Sequence, residues 1–305
     1  RKRARGRDEL VQSEQDVDVP ELLLERIARW LEGVKRLVIF VGAKNSTGAE
    51  STNMNVSSWS AAQRQRYGHV DGLRADPKGF HEFWTDLSRR TAKDEPSDAY
   101  RDLVELAQRS PSTTFVTERI DGLLAKAGAG HVLELYGSAH RYRCAVCNAV
   151  HPVQADSRCM VCKGGDGTIR PDIVLLGEPT DNRLFAGAEL ATKHADVVLV
   201  VDCDATTFPS SAILEKAKGR GAKVVMIGTG PQSRLAVTDV NLRASASHVL
   251  PLLLSRLREG RVQMGRGSNL SDEGFAAMCY LAGHGTDHLG RTLEQTLSWV
   301  NWEIE

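Results

Sequence analysis

The chain predicts an α/β fold, a parallel sheet with helices on both faces, and three observations carry that expectation. The runs LVIFV (37–41) and VVLVV (197–201) are apolar at every position, as strands covered on both sides must be. Segments with apolar residues three and four apart alternate with such runs along most of the chain, which winds a parallel sheet by right-handed crossovers. Between the two runs, four cysteines in two Cys-x-x-Cys pairs mark a small metal module that interrupts the sheet.

Taken in order, residues 1–19 form a basic and polar tail. Arg1 to Arg7 hold five positive charges in seven residues, a pattern shared by nuclear-import segments, phosphate-binding arms and plain solvated termini. Pro20 opens a helix whose stripe is Leu23, Ile27, Leu31 and Val34. It feeds the strand LVIFV, which ends in the turn GAKNSTGAE, the way nucleotide-binding α/β domains begin. Residues 51–96 are polar and irregular, with a helical patch at FHEFWTDLSRR, and are expected to form a variable lobe. The helix DAYRDLVELAQRS and the strand TTFVT follow. After the cysteines come the strand DIVLL, the helix LFAGAELATKH, the strand ADVVLVV, the helix SSAILEKAKGRG, the strand AKVVMIG and the helix SASHVLPLLLSRLREG. The main domain is thus assigned to 20–136 and 168–257, the metal module to 137–167 and a C-terminal helical extension to 258–305.

Composition excludes several classes. In 305 residues, 39 basic side chains balance 39 acidic ones, so no global field draws the molecule to nucleic acid or an anionic membrane. Neither apolar run approaches the roughly 20 residues needed to span a bilayer. Six cysteines in a chain of this length do not make a disulfide scaffold, and their pairing points to a reducing, intracellular setting. Arg1 in place of an initiator Met is expected of a fragment or a processed product.

Cys144, Cys147, Cys159 and Cys162 are spaced C-x2-C-x11-C-x2-C. Each Cys-x-x-Cys turn sets two sulfurs on one side of an ion, so the four close a tetrahedron around Zn²⁺ with no open position for water, a structural rather than catalytic site. A pair of redox dithiols is the competing reading. His140 and His151 flank the first pair and offer a replacement ligand, but with four cysteines available they are expected at the surface, and Cys203 and Cys279 are expected to be small buried residues. His284 and His288 stand four apart around a glycine and read as a polar turn.

The order of motifs resembles the sirtuins, the NAD-dependent protein-lysine deacylases, from about Leu37 to Leu254. The matching pieces are VGAKNS, VTERIDGLLAKAG, LELYGSAHRYRCAVC, the second cysteine pair with RPDIVLLGE, and ADVVLVVDCDATTFPSSA. The resemblance implies a Rossmann-like domain and a small zinc ribbon, with NAD and an acyl-lysine peptide meeting in the cleft between them. It also implies a histidine base acting on a ribose hydroxyl.

Departures from the family's pattern fall on its polar cofactor contacts. Tyr136 stands at the base position, before Gly137 and Ser138. A tyrosine titrates near 10 against about 6.5 for histidine, so no catalytic residue is expected there. In the phosphate loop, Gly42, Ala43 and Ser46 remain but Lys44 replaces a glycine, which loses the small residue that lets backbone approach a pyrophosphate. The family's Asp-Phe-Arg aligns with Asn53-Met54-Asn55. Its Gln-Asn-Ile-Asp reads Glu118-Arg119-Ile120-Asp121, and its Gly-Thr-Ser aligns with Asp202-Cys203-Asp204, two acids that would repel a phosphate. The Gly177-Glu178 strand end, which in the family pairs with the peptide, is kept. NAD binding in the family manner is therefore not expected. Lys44, Arg119, Glu118, Asp202 and Asp204 are expected either to pair and fill the cleft or to stand around an open, wet one.

Two functions follow. The first is a catalytically inactive sirtuin-like protein, a pseudoenzyme serving as an interaction scaffold in a chromatin-silencing or histone-deacetylase complex, with a nuclear location. The second is an NAD-dependent protein deacylase or ADP-ribosyl transferase with an altered active site. For a partner, RTLEQTLSWVNWEIE offers Leu293, Leu297, Val300 and Ile304 as one helical stripe with Trp299 and Trp302 beside it, suited to a partner's groove or to packing on its own domain.

Overall fold

A computed structural model describes residues 19–43, 54, 56–154, 157–162, 168–179, 182–203, 205, 209–229 and 237–259. The tail, Lys44, Ser46, Asn53, Asn55, Asp204, Cys279, His284, His288 and the extension bearing Leu293, Leu297, Trp299, Val300, Trp302 and Ile304 lie outside the described residues. The strands are β1 (Arg36–Val41), β2 (Ser112–Thr117), β3 (Val132–Glu134), β4 (Gly137–Cys144), β5 (Val150–Pro152), β6 (Ile169–Ile173), β7 (Val197–Val201), β8 (Lys223–Ile227) and β9 (Val240–Leu242). The α-helices are α1 (Glu21–Leu31), α2 (Ala61–Gln63), α3 (Val70–Ala75), α4 (Pro77–Thr91), α5 (Asp98–Ala107), α6 (Leu123–Lys126), α7 (Asn182–Lys193), α8 (Ser210–Gly219) and α9 (Ala246–Glu259).

Strand alternation decides the layers. Leu37, Ile39 and Val41 of β1 enter one buried cluster, with α1, α5 and α9, while Val38 and Phe40 enter another, with α7 and α8, because successive side chains of a strand face opposite ways. Helices therefore cover both faces of a six-stranded sheet, ordered β3-β2-β1-β7-β8-β9, in which every pairing is parallel. The order reverses between β1 and β7. At such a switch point the connections leave in opposite directions and open a crevice beyond the carboxyl ends of the strands.

The second sheet is antiparallel, ordered β5-β4-β6. Here the sequence reading needs correction. The pattern places DIVLL in the main sheet, yet its start belongs to β6, paired with β4 in the small sheet. The lobe also differs from the irregular segment expected. It is mostly helical, with turns at Val56–Ser58 and Arg64–Gly68 beside α2, α3 and α4, and its Phe80, Trp84 and Leu87 pack in one cluster with Ile120, Ala139, Ile173 and Leu175 from outside the lobe. Trp84 Nε1 donates to the Tyr67 carbonyl at 2.9 Å. Among the described residues no helix is long and apolar enough to cross a membrane.

Candidate functional site

The crevice at the switch point is assembled from strand ends. β1 runs into Gly42-Ala43, β2 into Glu118-Arg119-Ile120-Asp121, and β7 into Asp202-Cys203. Gly42 is required there, since a Cβ on it would sit 2.4 Å from the Asp202 carbonyl oxygen and 2.5 Å from Cys203 Cα, well inside contact distance. From the opposite side, Gly137 at φ 78° lets β4 press on β6, where a Cβ would lie 1.9 Å from the Asp172 carbonyl. Tyr136 directly precedes that glycine and so faces the crevice. Between the two sheets and the lobe lies a cavity of about 340 Å³, lined by Ala43, Glu118, Asp121, Ile120, Tyr136 and Glu178 among others.

Tyr136 is a protonated phenol here. Burial first, then the negative potential of Glu118 and Cys203, pushes its pKa up to about 12, which keeps the phenol proton in place at neutral pH. Glu118 turns its carboxylate back into the protein: it accepts from the Ala43 N–H at 3.3 Å, from the Ser210 hydroxyl at the start of α8, and from Cys203 Sγ at 3.8 Å. An internal anion thus lies on a backbone donor beside a helix N-terminus, the kind of place that favours negative charge.

Arg119 and Asp121 form a buried pair. Arg119 Nη2 and Nε reach Asp121 Oδ2 at 2.6 and 2.7 Å, and Asp121 Oδ1 accepts the Leu123 N–H at 3.1 Å. Burial alone would favour a neutral Arg119, but Tyr100, Asp121 and Asp202 outweigh it and hold the guanidinium charged. Arg119 thus takes Asp121, a residue outside the expected set, as an ion-pair partner, and Lys44 and Asp204 of that set lie outside the described residues. The described charged groups sit in the walls, and the cavity stays open. Asp202 is buried with φ 57°. The segment before Gly177-Glu178 is already paired with the lobe: Leu176 N–H donates to the Gly68 carbonyl at 2.8 Å and Val70 N–H to the Leu176 carbonyl at 3.0 Å. Sequence reasoning missed the lobe residues Trp84 and Val56 in this wall and Ser210 behind it on Glu118, since nothing local marks residues that converge only in the tertiary fold.

The four cysteines converge as the spacing requires. Their sulfurs lie within 4.8 Å of one another, with Cys144–Cys162 at 3.5 Å and Cys147–Cys159 at 3.6 Å. Four bonds of about 2.3 Å to a tetrahedral Zn²⁺ would set sulfurs roughly 3.8 Å apart, so the group fits. Backbone N–H donation, from Cys147 foremost, pulls Cys144 down to about 6. Hydrogen bonding with Cys147 and Cys144 pushes Cys162 up to about 12, because thiolates crowd together only around a cation. Neither flanking histidine is at the surface as expected. His140 is half-buried, and burial holds it below its usual range. His151 is buried against Cys159. Cys203 is buried, as expected.

A Rossmann-like sheet wound on both faces, a four-cysteine module fit for structural zinc and a cavity between them define a two-part α/β fold with a zinc ribbon set against its larger sheet. The chain belongs to the Sir2 family, whose model matches residues 52–209. The NAD-dependent protein deacylase of Thermococcus kodakarensis is 27% identical over 248 residues, 78% of this chain and 96% of that protein. The one from Mycobacterium tuberculosis is 34% identical over 171 residues, 53% of this chain and 71% of that protein. A structure from work on the mechanism and regulation of Sir2 enzymes superposes with a TM-score of 0.64 at 26% identity, covering 79% of this chain and all (100%) of that one.

Proposed function

We propose that this chain is a sirtuin-class NAD-dependent protein deacylase or ADP-ribosyl transferase with an altered active site. The observation that carries this reading is the open cavity of about 340 Å³ at the switch point, with Asp121 fixed by Arg119 and Leu123 in its wall, in a chain whose relatives are NAD-dependent deacylases over nearly their whole length. The fit to a dinucleotide is partial. The apolar wall of Ile120, Ile173 and Leu175 suits an acyl chain or a nicotinamide ring, whereas Glu118 and Asp202 at the strand ends do not suit a pyrophosphate. What the chain's own residues do is exclude water with the apolar wall, hold a carboxylate at Asp121 and present a phenol proton at Tyr136.

A second reading is favoured by Tyr136 and Glu118 themselves: a catalytically inactive scaffold in a chromatin-silencing or histone-deacetylase complex, docking through the segment bearing Leu293, Leu297, Trp299, Val300, Trp302 and Ile304, in the nucleus. One experiment divides the two. Zinc-loaded protein and its Tyr136→His variant are titrated with NAD and with ADP-ribose by calorimetry, then assayed on acylated peptides. The enzyme reading expects micromolar binding by both proteins, and turnover that rises about a hundredfold or more in Tyr136→His as a base titrating near 6.5 is supplied. No heat and no turnover in either protein would reject it in favour of the scaffold.

A further inference from the structure

We infer that His151 is a positioning residue of the metal centre, donating a hydrogen bond from Nε2 to the Cys159 thiolate and replacing a backbone donor that the second cysteine pair lacks. The two Cys-x-x-Cys turns are not equivalent. Cys144 Sγ accepts two backbone N–H groups, from Val146 at 3.3 Å and Cys147 at 3.4 Å. Cys159 Sγ accepts the Val161 N–H at 3.3 Å, and among the described residues no N–H of Cys162 joins it. In that place stands His151 Nε2, at 3.2 Å.

Geometry makes it a partner of one sulfur rather than a fifth ligand. The group whose donor atoms lie within 4.8 Å of one another contains the four cysteines and not His151. The ring is held by its own strand. His151 on β5 pairs with Tyr142 on β4, and the Tyr142 hydroxyl is fixed by Thr85 at 2.6 Å. His151 is only 4% exposed, so water does not take its place. Four thiolates around a divalent cation carry two negative charges in excess, and each N–H donated to a sulfur spreads that charge and makes the thiolate a poorer nucleophile and a poorer proton acceptor. Outer partners of this kind hold metal ligands in place and tune them.

The test uses the full chain loaded with zinc, or with Co²⁺ for spectroscopy, and compares wild type with His151→Phe and His151→Gln. A Gln amide nitrogen reaches about as far as histidine Nε2, whereas Phe fills the space without a donor. In His151→Phe the thiolate-to-cobalt bands should move to lower energy, zinc affinity in competition with a chromophoric chelator should fall about tenfold, and alkylation of Cys159, mapped by mass spectrometry, should accelerate. His151→Gln should restore all three. Identical cobalt spectra for wild type and His151→Phe would overturn the inference, as would equal loss in both variants, which marks a packing role. A wild-type cobalt spectrum of three thiolates and one imidazole would overturn it by making His151 a ligand. Sir2-type activity is not needed for any of these readouts.

Discussion

At the residue scale, the unusual feature is a carboxylate that turns inward at the switch point. Glu118 lies on the Ala43 N–H and the Ser210 hydroxyl, and its charge is one of the causes that keep Tyr136 protonated. A phosphate brought to the same donors would meet that charge, and a like charge a few ångströms away at a partly solvated site costs roughly 1–3 kcal/mol. Glu118→Gln removes the charge while its one amide oxygen accepts the Ala43 N–H and its amide nitrogen can donate to the Ser210 hydroxyl oxygen, which is free to turn. ADP-ribose affinity is then expected to rise about tenfold or more, read by calorimetric titration, and Tyr136 should titrate closer to its usual value in a spectrophotometric pH series. An unchanged affinity would show that another group limits nucleotide binding. The acid at this position was legible in the sequence from its place two residues before Ile120. Its partners were not, because Ser210 is distant along the chain and meets Glu118 only once β2 and β7 flank β1.

At the element scale, the small sheet is tied across β4 and β6 by charge. Asp172 of β6 accepts Arg143 Nε at 2.6 Å and Arg141 Nε at 2.5 Å, and Arg141 also reaches Glu134 at 2.5 Å. Burial alone would raise the Asp172 pKa, but the hydrogen bonds from Arg143 and Arg141 outweigh it and hold the carboxyl below its usual value near 3.8. With a folded pKa below the unfolded one, its contribution is fully present above about pH 4 and is lost as pH falls through the lower folded value. Asp172→Asn should therefore cost about 1–2 kcal/mol at pH 7, discounted because both arginines are more than a third exposed. The difference from wild type should shrink as pH falls below about 4 and through the lowered folded value, as followed by urea unfolding. A pH-independent difference would assign the loss to packing. The same strand shows where pattern reading stops. DIVLL is apolar enough for the main sheet, and a short apolar run carries no mark of which sheet it joins. The two-sided runs of β1 and β7 left no such ambiguity. In the lobe, Phe80, Trp84 and Leu87, four and three apart, mark the buried face of α4 inside the helical patch the sequence shows, whereas the short α2 and α3 bury no residue and so carry no apolar stripe to read.

At the scale of the whole molecule, the metal module and the main sheet differ in how they are held, and that difference predicts what zinc removal does. The main sheet is buried by two apolar clusters built from β1, β7, β8 and the helices on both faces. The module's own cluster is Tyr142, Cys144, Cys159 and Ile169, two of them thiols that repel one another once ionised without a cation. So small a core does not offset the entropy of ordering three strands, which makes the metal the cross-link that does. The cysteines were legible for the same reason, since a ligand set depends on local spacing, whereas the cavity depends on elements far apart in sequence. Cys147 is exposed, so a chelator has access to the ion. Stripping zinc should then remove amide protection from β4, β5 and β6 by at least tenfold in hydrogen exchange while β1 and β7 stay protected, a sub-global opening. The cavity ought to fail with the module, because Tyr136 and Ile173 in its wall flank β4 and end β6, so peptide or nucleotide binding should be lost before the main sheet melts. If exchange instead rose together in both sheets, the module would be part of one cooperative unit, and the metal would be holding the whole fold rather than one wall of its cleft.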